Sequence, residues 1–189
     1  FEVEAWMPWK VVKTNHFIVY YPENLESWTL GITKTMESIY DKITAFVGFS
    51  PAEKIKILIH DPYNMPNGMA LPLLNKPRIV LWPTAPDSAL MLGSFYNWSE
   101  LVFSHELGHI IHLTIPPRHW SERLMSWLLP MGPVTTKAPL WLQEGYAVII
   151  EEQFTGSGRP SSALRAAFLR QLAVEGKLPV YEELTSSDA

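Results

Sequence analysis

The chain reads as an α+β fold: a small mixed sheet with an edge hairpin, packed on a helical lobe. Three observations predict it. Short β-branched and aromatic runs closed by proline or glycine crowd the first half. One long run with apolar residues at three- and four-residue steps lies between them. The second half carries longer apolar segments bounded by helix start and stop residues. With 189 residues, the chain can bury a substantial core.

His16–Tyr21 is β-branched and aromatic and is closed by Pro22, which makes it a strand. From Glu26 to Phe46, residues Leu30, Ile32, Thr33, Met36, Ile39, Tyr40, Ile43 and Phe46 trace one face of a helix that ends at Gly48 and Pro51. Lys54–His60 is a second strand, stopped by Asp61 and Pro62. Asn67–Leu71 and Arg78–Trp82, joined by a turn at Leu74–Pro77, form a hairpin. Pro72 puts it at the sheet's edge, because a central strand tolerates proline poorly. Residues 1–96 thus form the α+β lobe.

Residues 97–189 form the helical lobe. Asn97 caps a helix from Trp98 to about Leu113, with Glu100 as its capping-box partner, and Pro116-Pro117 forbids its continuation. Apolar residues surround this helix, so it should be buried on nearly all sides. Pro139 opens a helix from Leu140 to about Phe154. A loop at Gly156–Pro160 precedes an amphipathic helix, Ser162 to Glu175, closed by Gly176, and the tail from Thr185 is polar.

Composition excludes several classes. The net charge is −4 with no basic run, which argues against a nucleic-acid partner. No apolar stretch approaches the roughly 18 residues needed to span a bilayer, so no transmembrane segment is expected. The chain begins at Phe1, and a removed signal peptide would leave no trace in it. There is no cysteine, so any metal must be held by histidine and carboxylate.

That last exclusion matters because of His105-Glu106-Leu107-Gly108-His109. Residues four apart share a helix face, so His105 and His109 can point two imidazoles at one ion while Glu106 lies beside them. Single histidines on apolar faces are usually packing residues. Two of them flanking a glutamate in a dry segment are harder to dismiss in that way, since an ionised carboxylate there is costly unless paired or near a metal. Gly108, inside the same helix, marks close approach by another element. Glu144 lies in a second apolar helix and offers a third ligand. Two histidines and one glutamate leave a fourth position open, the layout of a catalytic zinc with Glu106 as general base.

His105-Glu-Leu-Gly-His109 followed by Trp141-Leu-Gln-Glu144-Gly-Tyr-Ala resembles the gluzincin zinc metallopeptidases, in particular the bacterial peptidase MA-like proteins, whose second motif reads W-L-x-E-G-x-A. The likeness covers most of the chain, including His16–Pro22 as the family's first strand. It implies a thermolysin-like core in which both lobes form one catalytic domain. One Zn2+ would be bound by His105, His109 and Glu144, with Glu106 as the catalytic base. The backbone of Gly68, Met69 and Ala70 would add an extended peptide or protein substrate to the edge strand. It also implies an exported bacterial protein, periplasmic or extracellular, with further C-terminal helices or domains in the parent protein. Endopeptidase action is favoured, because the glutamate-rich amine-binding motif of aminopeptidases is absent around Gly68. The family's oxyanion donor is a Tyr or His from the C-terminal lobe, and here Tyr181 is the candidate.

Other positions stay open on sequence alone. A metzincin site would need Gly where His112 stands and His where Ile115 stands, so that reading fails. His112 reads as a packed residue, and His16, His60 and His119 have no partner at ligand spacing. Glu151, seven residues after Glu144, either bonds the free nitrogen of a ligand histidine or is a solvated acid beside Glu152. The stretch Thr114–Ala138, rich in Trp, Leu and Met between prolines, is expected to pack on the core and partly wall the cleft. The other option is that it sits against a membrane surface. Against the peptidase stand two rivals: a catalytically inactive metal-binding scaffold of a larger exported protein, and a structural protein whose His–Glu cluster never meets metal.

Overall fold

A computed structural model describes residues 7–86 and 95–186. Its sheet has five strands: β1 (Trp9–Lys13), β2 (Phe17–Pro22), β3 (Ile55–Ile59), β4 (Gly68–Leu71) and β5 (Arg78–Leu81). Their order is β1-β2-β3-β5-β4, with β2, β3 and β5 parallel and an antiparallel strand at either edge. The fold is therefore α+β with a mixed sheet, as expected. β1 has no counterpart in the sequence reading, because Lys10 and Lys13 break up a short run whose pattern is half exposed. Tail residues 187–189 lie outside the described residues.

Helix α1 (Glu26–Val47) crosses from β2 to β3. Its buried stripe is Thr29, Ile32, Met36, Ile39, Tyr40 and Ile43, whereas Leu30 and Phe46 of the expected face are exposed. Gly48 stops it at φ 74°, a left-handed conformation suited to glycine, and its N–H bonds back to Thr44 O. Ile55, Ile57 and Ile59 alternate inward on β3.

Helix α2 (Trp98–Leu113) is capped by Asn97, whose carboxamide accepts from the Ser99 amide, and nearly every side chain on it is buried. It lies between the sheet, α1 and α5 (Leu140–Thr155), so residues from both halves of the sequence share one core. The close approach marked by Gly108 is to α5: a Cβ there would lie 3.2 Å from Ile150 Cγ2. Glycine at 108 lets the two helices that carry His105, His109 and Glu144 pack together.

Between them the chain forms α3 (Trp120–Leu128) and α4 (Pro133–Lys137). This stretch is tied down at its C-terminal end. Leu74 N–H bonds Pro130 O, Leu73 pairs with Met131, and a Cβ on Gly132 would fall 2.1 Å from Leu113 O. The apolar side of α3 does not pack on the core as expected, since Trp120, Leu124, Trp127 and Leu128 are exposed. Helix α6 (Ala163–Val174), capped by Ser162, likewise buries no residue, and α7 (Tyr181–Ser186) follows. Among the described residues no helix is long and apolar enough to cross a membrane.

Candidate metal centre

Local helix geometry brings the first two donors together. His105 and His109, one turn apart on α2, face each other with their Nε2 atoms 3.1 Å apart. Glu144, on the first turns of α5, meets both: Oε2 lies 3.4 Å from His105 Nε2, and Oε1 lies 3.4 Å from His109 Nε2. Zinc–nitrogen bonds of 2.0–2.1 Å in a tetrahedron set donors about 3.3 Å apart, so this spacing fits such an ion. Two nitrogens and a carboxylate also suit zinc better than calcium or magnesium, which favour oxygen. His105, His109 and Glu144 form a group that can hold a metal ion. The histidines are buried and Glu144 is more exposed, giving the site a dry floor and an open side.

Two more carboxylates lie close to this group. Glu106 is 6% exposed and Glu151 1%. Glu151 Oε1 lies 2.8 Å from His105 Nδ1, within ion-pair reach but off the direction of the ring N–H, and 3.5 Å from an Arg159 terminal nitrogen. Of the two sequence options for Glu151, a solvated acid does not fit its burial; the carboxylate lies behind the His105 ring. Its other oxygen is buried without a hydrogen-bond partner, as is Nδ1 of His109. Arg159 carries no recognisable motif. The left-handed Gly156 and the positive-φ Gly158 turn the loop back so that it reaches the cleft.

The electrostatics follow from this crowding. Burial alone would lower the His105 pKa, but the carboxylates of Glu144 and Glu151 outweigh it and push it up to about 9. His105 and His109 hold Glu144 far below the usual carboxylate range. Burial raises Glu106 despite the opposing pull of the two histidines.

Strand β4 forms one wall. A Cβ on Gly68 would lie 2.6 Å from Glu106 Oε1, so the edge strand runs directly over the buried carboxylate. The register pairs Gly68 with Leu81, Met69 with Val80 and Ala70 with Ile79, and Trp82 N–H bonds Asn67 O. Hydrogen-bonded and non-bonded pairs alternate along an antiparallel ladder. Met69 therefore spends its main-chain groups on β5, whereas those of Gly68 and Ala70 point away from it, the Gly68 N–H donating to Asn67 Oδ1 at 2.9 Å. Past Leu71 the edge is occupied by Leu73 and Met131. The cleft holds about 490 Å³, within the usual range for ligand sites, and Trp98, Leu101, Val102 and Leu140 supply much of its apolar lining.

The remaining candidates fall elsewhere. Tyr181 stacks edge-on against Trp141 at 5.9 Å and is not a cleft residue, so nothing here makes it an oxyanion donor. His112 stacks on Tyr146 at 3.9 Å, a packing role. His16 bonds Glu37 and stacks on Tyr40, and His60 meets the edge of Trp9. Set against known proteins, the chain matches no family model, no curated sequence and no solved structure.

Proposed function

We propose that this chain is a zinc-dependent peptidase of gluzincin type that cleaves peptides lying along β4. One observation carries the reading: an edge strand with outward main-chain groups passes over a buried glutamate that adjoins a two-histidine, one-glutamate cluster, all in one cleft. His105, His109 and Glu144 would hold the zinc. When bound, the ion polarises a carbonyl and acidifies water at its open position.

The chain's own groups do the rest. Ala70 offers its N–H and C=O, and Gly68 its C=O, to an extended peptide, which fixes its direction by strand addition. Glu106 takes a proton and returns it to the leaving amine. In the metal-free cleft burial raises its pKa, so this position can hold a proton. Glu151 holds the His105 ring by its Nδ1 side, and the apolar walls limit bulk water.

The test combines metal analysis with turnover of casein and a quenched peptide library. Wild-type protein should bind one zinc per chain and cleave. Glu106→Gln should keep zinc and lose activity by about 10²–10⁴-fold, and His109→Ala should lose zinc. Full turnover by Glu106→Gln, or wild-type zinc affinity in His109→Ala, would refute these roles. A second reading, a metal-holding scaffold that binds peptides without cutting them, is favoured by one observation. The cleft lining among the described residues includes no tyrosine and no histidine beyond the two ligands. Zinc binding with peptide capture but no cleavage is the result that would select it.

A further inference from the structure

Helix α3 is turned inside out. Its apolar stripe, Trp120, Leu124, Trp127 and Leu128, recurs at helical spacing and is 79%, 62%, 82% and 68% exposed. Its polar side is the more covered one: Glu122 and Ser126 are half-buried, and Glu122 is ion-paired to Lys137 of α4. A soluble helix gains nothing from this orientation, because burying Trp and Leu is the main return on forming it. An exposed apolar stripe of this size marks a contact surface.

The charge pattern says what it contacts. Residues 114–138 carry Arg118, Arg123 and Lys137 against Glu122 alone, a net +2, in a chain whose total is −4. The rest of the molecule is therefore −6. A second cationic stretch, residues 153–180, carries Arg159, Arg165, Arg170 and Lys177 against Glu175 but no Trp, so the pairing of a cationic stretch with an exposed Trp/Leu stripe belongs to α3. Arg118 and Arg123 are exposed, at the start of α3 and beside its stripe. Tryptophan and leucine on one face with arginine at its border is the composition of a helix lying in the headgroup layer of a bilayer. We infer that α3 docks this protein peripherally on an anionic membrane surface, with Trp120 and Trp127 inserted among the lipids and Arg118 and Arg123 at the phosphates. Met131, three residues past the helix, lines the cleft, so docking holds the cleft mouth beside the membrane. This inference stands whether or not the cleft hydrolyses peptides.

The test is vesicle flotation of the full chain, using phosphatidylcholine with and without phosphatidylglycerol, at low and high salt. Wild-type protein should float with the anionic vesicles at low salt and be released by high salt. Trp127→Ser with Leu128→Ser should lower the partition coefficient at least about tenfold, and Arg118→Ser about fivefold. These positions are exposed, so far-UV circular dichroism and the melting temperature should stay at wild-type values. Leu164→Ser with Phe168→Ser, on the exposed face of α6, should float normally. The proposal is overturned if wild-type protein ignores anionic vesicles, if the α3 variants bind equally well, or if the α6 variant alone abolishes flotation. It is also overturned if α3 substitutions dissolve a dimer and vesicles bind neither form, which would make a second copy the occupant.

Discussion

Gly68→Ala tests whether the edge strand and the buried glutamate act as one device. The new Cβ would start 2.6 Å from Glu106 Oε1, 2.7 Å from Cγ and 2.9 Å from Cδ. Ordinary contact requires about 3.5 Å, so the carboxylate must move by about 1 Å or β4 must lift. Gly68 has no left-handed φ, so alanine brings no backbone strain and the effect is steric. Side-chain rotation can relieve most of the clash, which puts the stability cost at the low end of overpacking, about 1 kcal/mol. For a chain of 189 residues that is about 2–4 °C in Tm. A displacement of about 1 Å in a reacting group can cost about 10²-fold, so kcat should fall far more than stability, with zinc stoichiometry unchanged. The assays are kcat/KM on a quenched peptide, zinc content and calorimetric Tm, with Leu71→Ala at the strand's other end as the control. Wild-type turnover in Gly68→Ala would refute the idea that this glycine exists to seat Glu106.

Ala70→Pro removes an outward N–H, whereas Met69→Ala leaves outward main-chain groups intact; the first should raise KM by about tenfold or more and the second should change it little, as read in steady-state kinetics. Glu151→Gln keeps the shape but not the charge behind His105, and should weaken zinc affinity by about 10–100-fold in a chelator competition while the protein still folds. With its folded pKa raised to about 9, His105 stabilises the metal-free protein fully below its ordinary value of 6.5 and loses that contribution as pH rises through 9, which melting curves across that window should show. Zinc requires the neutral ring, so affinity should climb by up to about tenfold per pH unit towards 9 for that one proton, with proton release visible by calorimetry in buffers of different ionisation heat.

The parts of the site legible in the sequence are those whose geometry is local. A four-residue step on a helix fixes the relation of His105 to His109 whatever surrounds them, and Gly108 announces a close neighbour without naming Ile150. Glu144 could be picked out because a carboxylate in an apolar helix needs a partner. What could not be read depends on register or on loops. Which main-chain groups of β4 face outward follows from its pairing with β5, a long-range property. Arg159 reaches Glu151 through a glycine turn that carries no periodic signal. An apolar pattern does not fix what a face meets: the stretch 114–138 is expected on the core, yet the Trp and Leu residues of α3 face solvent, as do large apolar residues of the amphipathic α6. β1 was hidden because alternation over five residues with two lysines is a weak pattern.

The charges of the cleft explain why its pieces belong together. Three carboxylates, on Glu106, Glu144 and Glu151, share a small region with two imidazoles and one guanidinium. With Arg159 the only fixed cation among the described residues lining it, a metal-free cleft can approach neutrality only by holding protons. The two groups pushed that way are His105, raised to about 9, and the buried Glu106, raised above its ordinary value. A divalent cation can replace those two protons with two charges. It leaves the imidazoles neutral, as ligands must be, and leaves Glu106 ionised, as a base must be. The same ion that completes the site would therefore convert Glu106 from a buried acid into a base, coupling competence for proton transfer to occupancy. A monovalent cation supplies only half of that exchange, and a surface cluster of exposed acids would have no protons to exchange at neutral pH. On the proposed function, burial of Glu106 under β4 would be a requirement of the arrangement, and Gly68 is the residue whose missing side chain makes room for it.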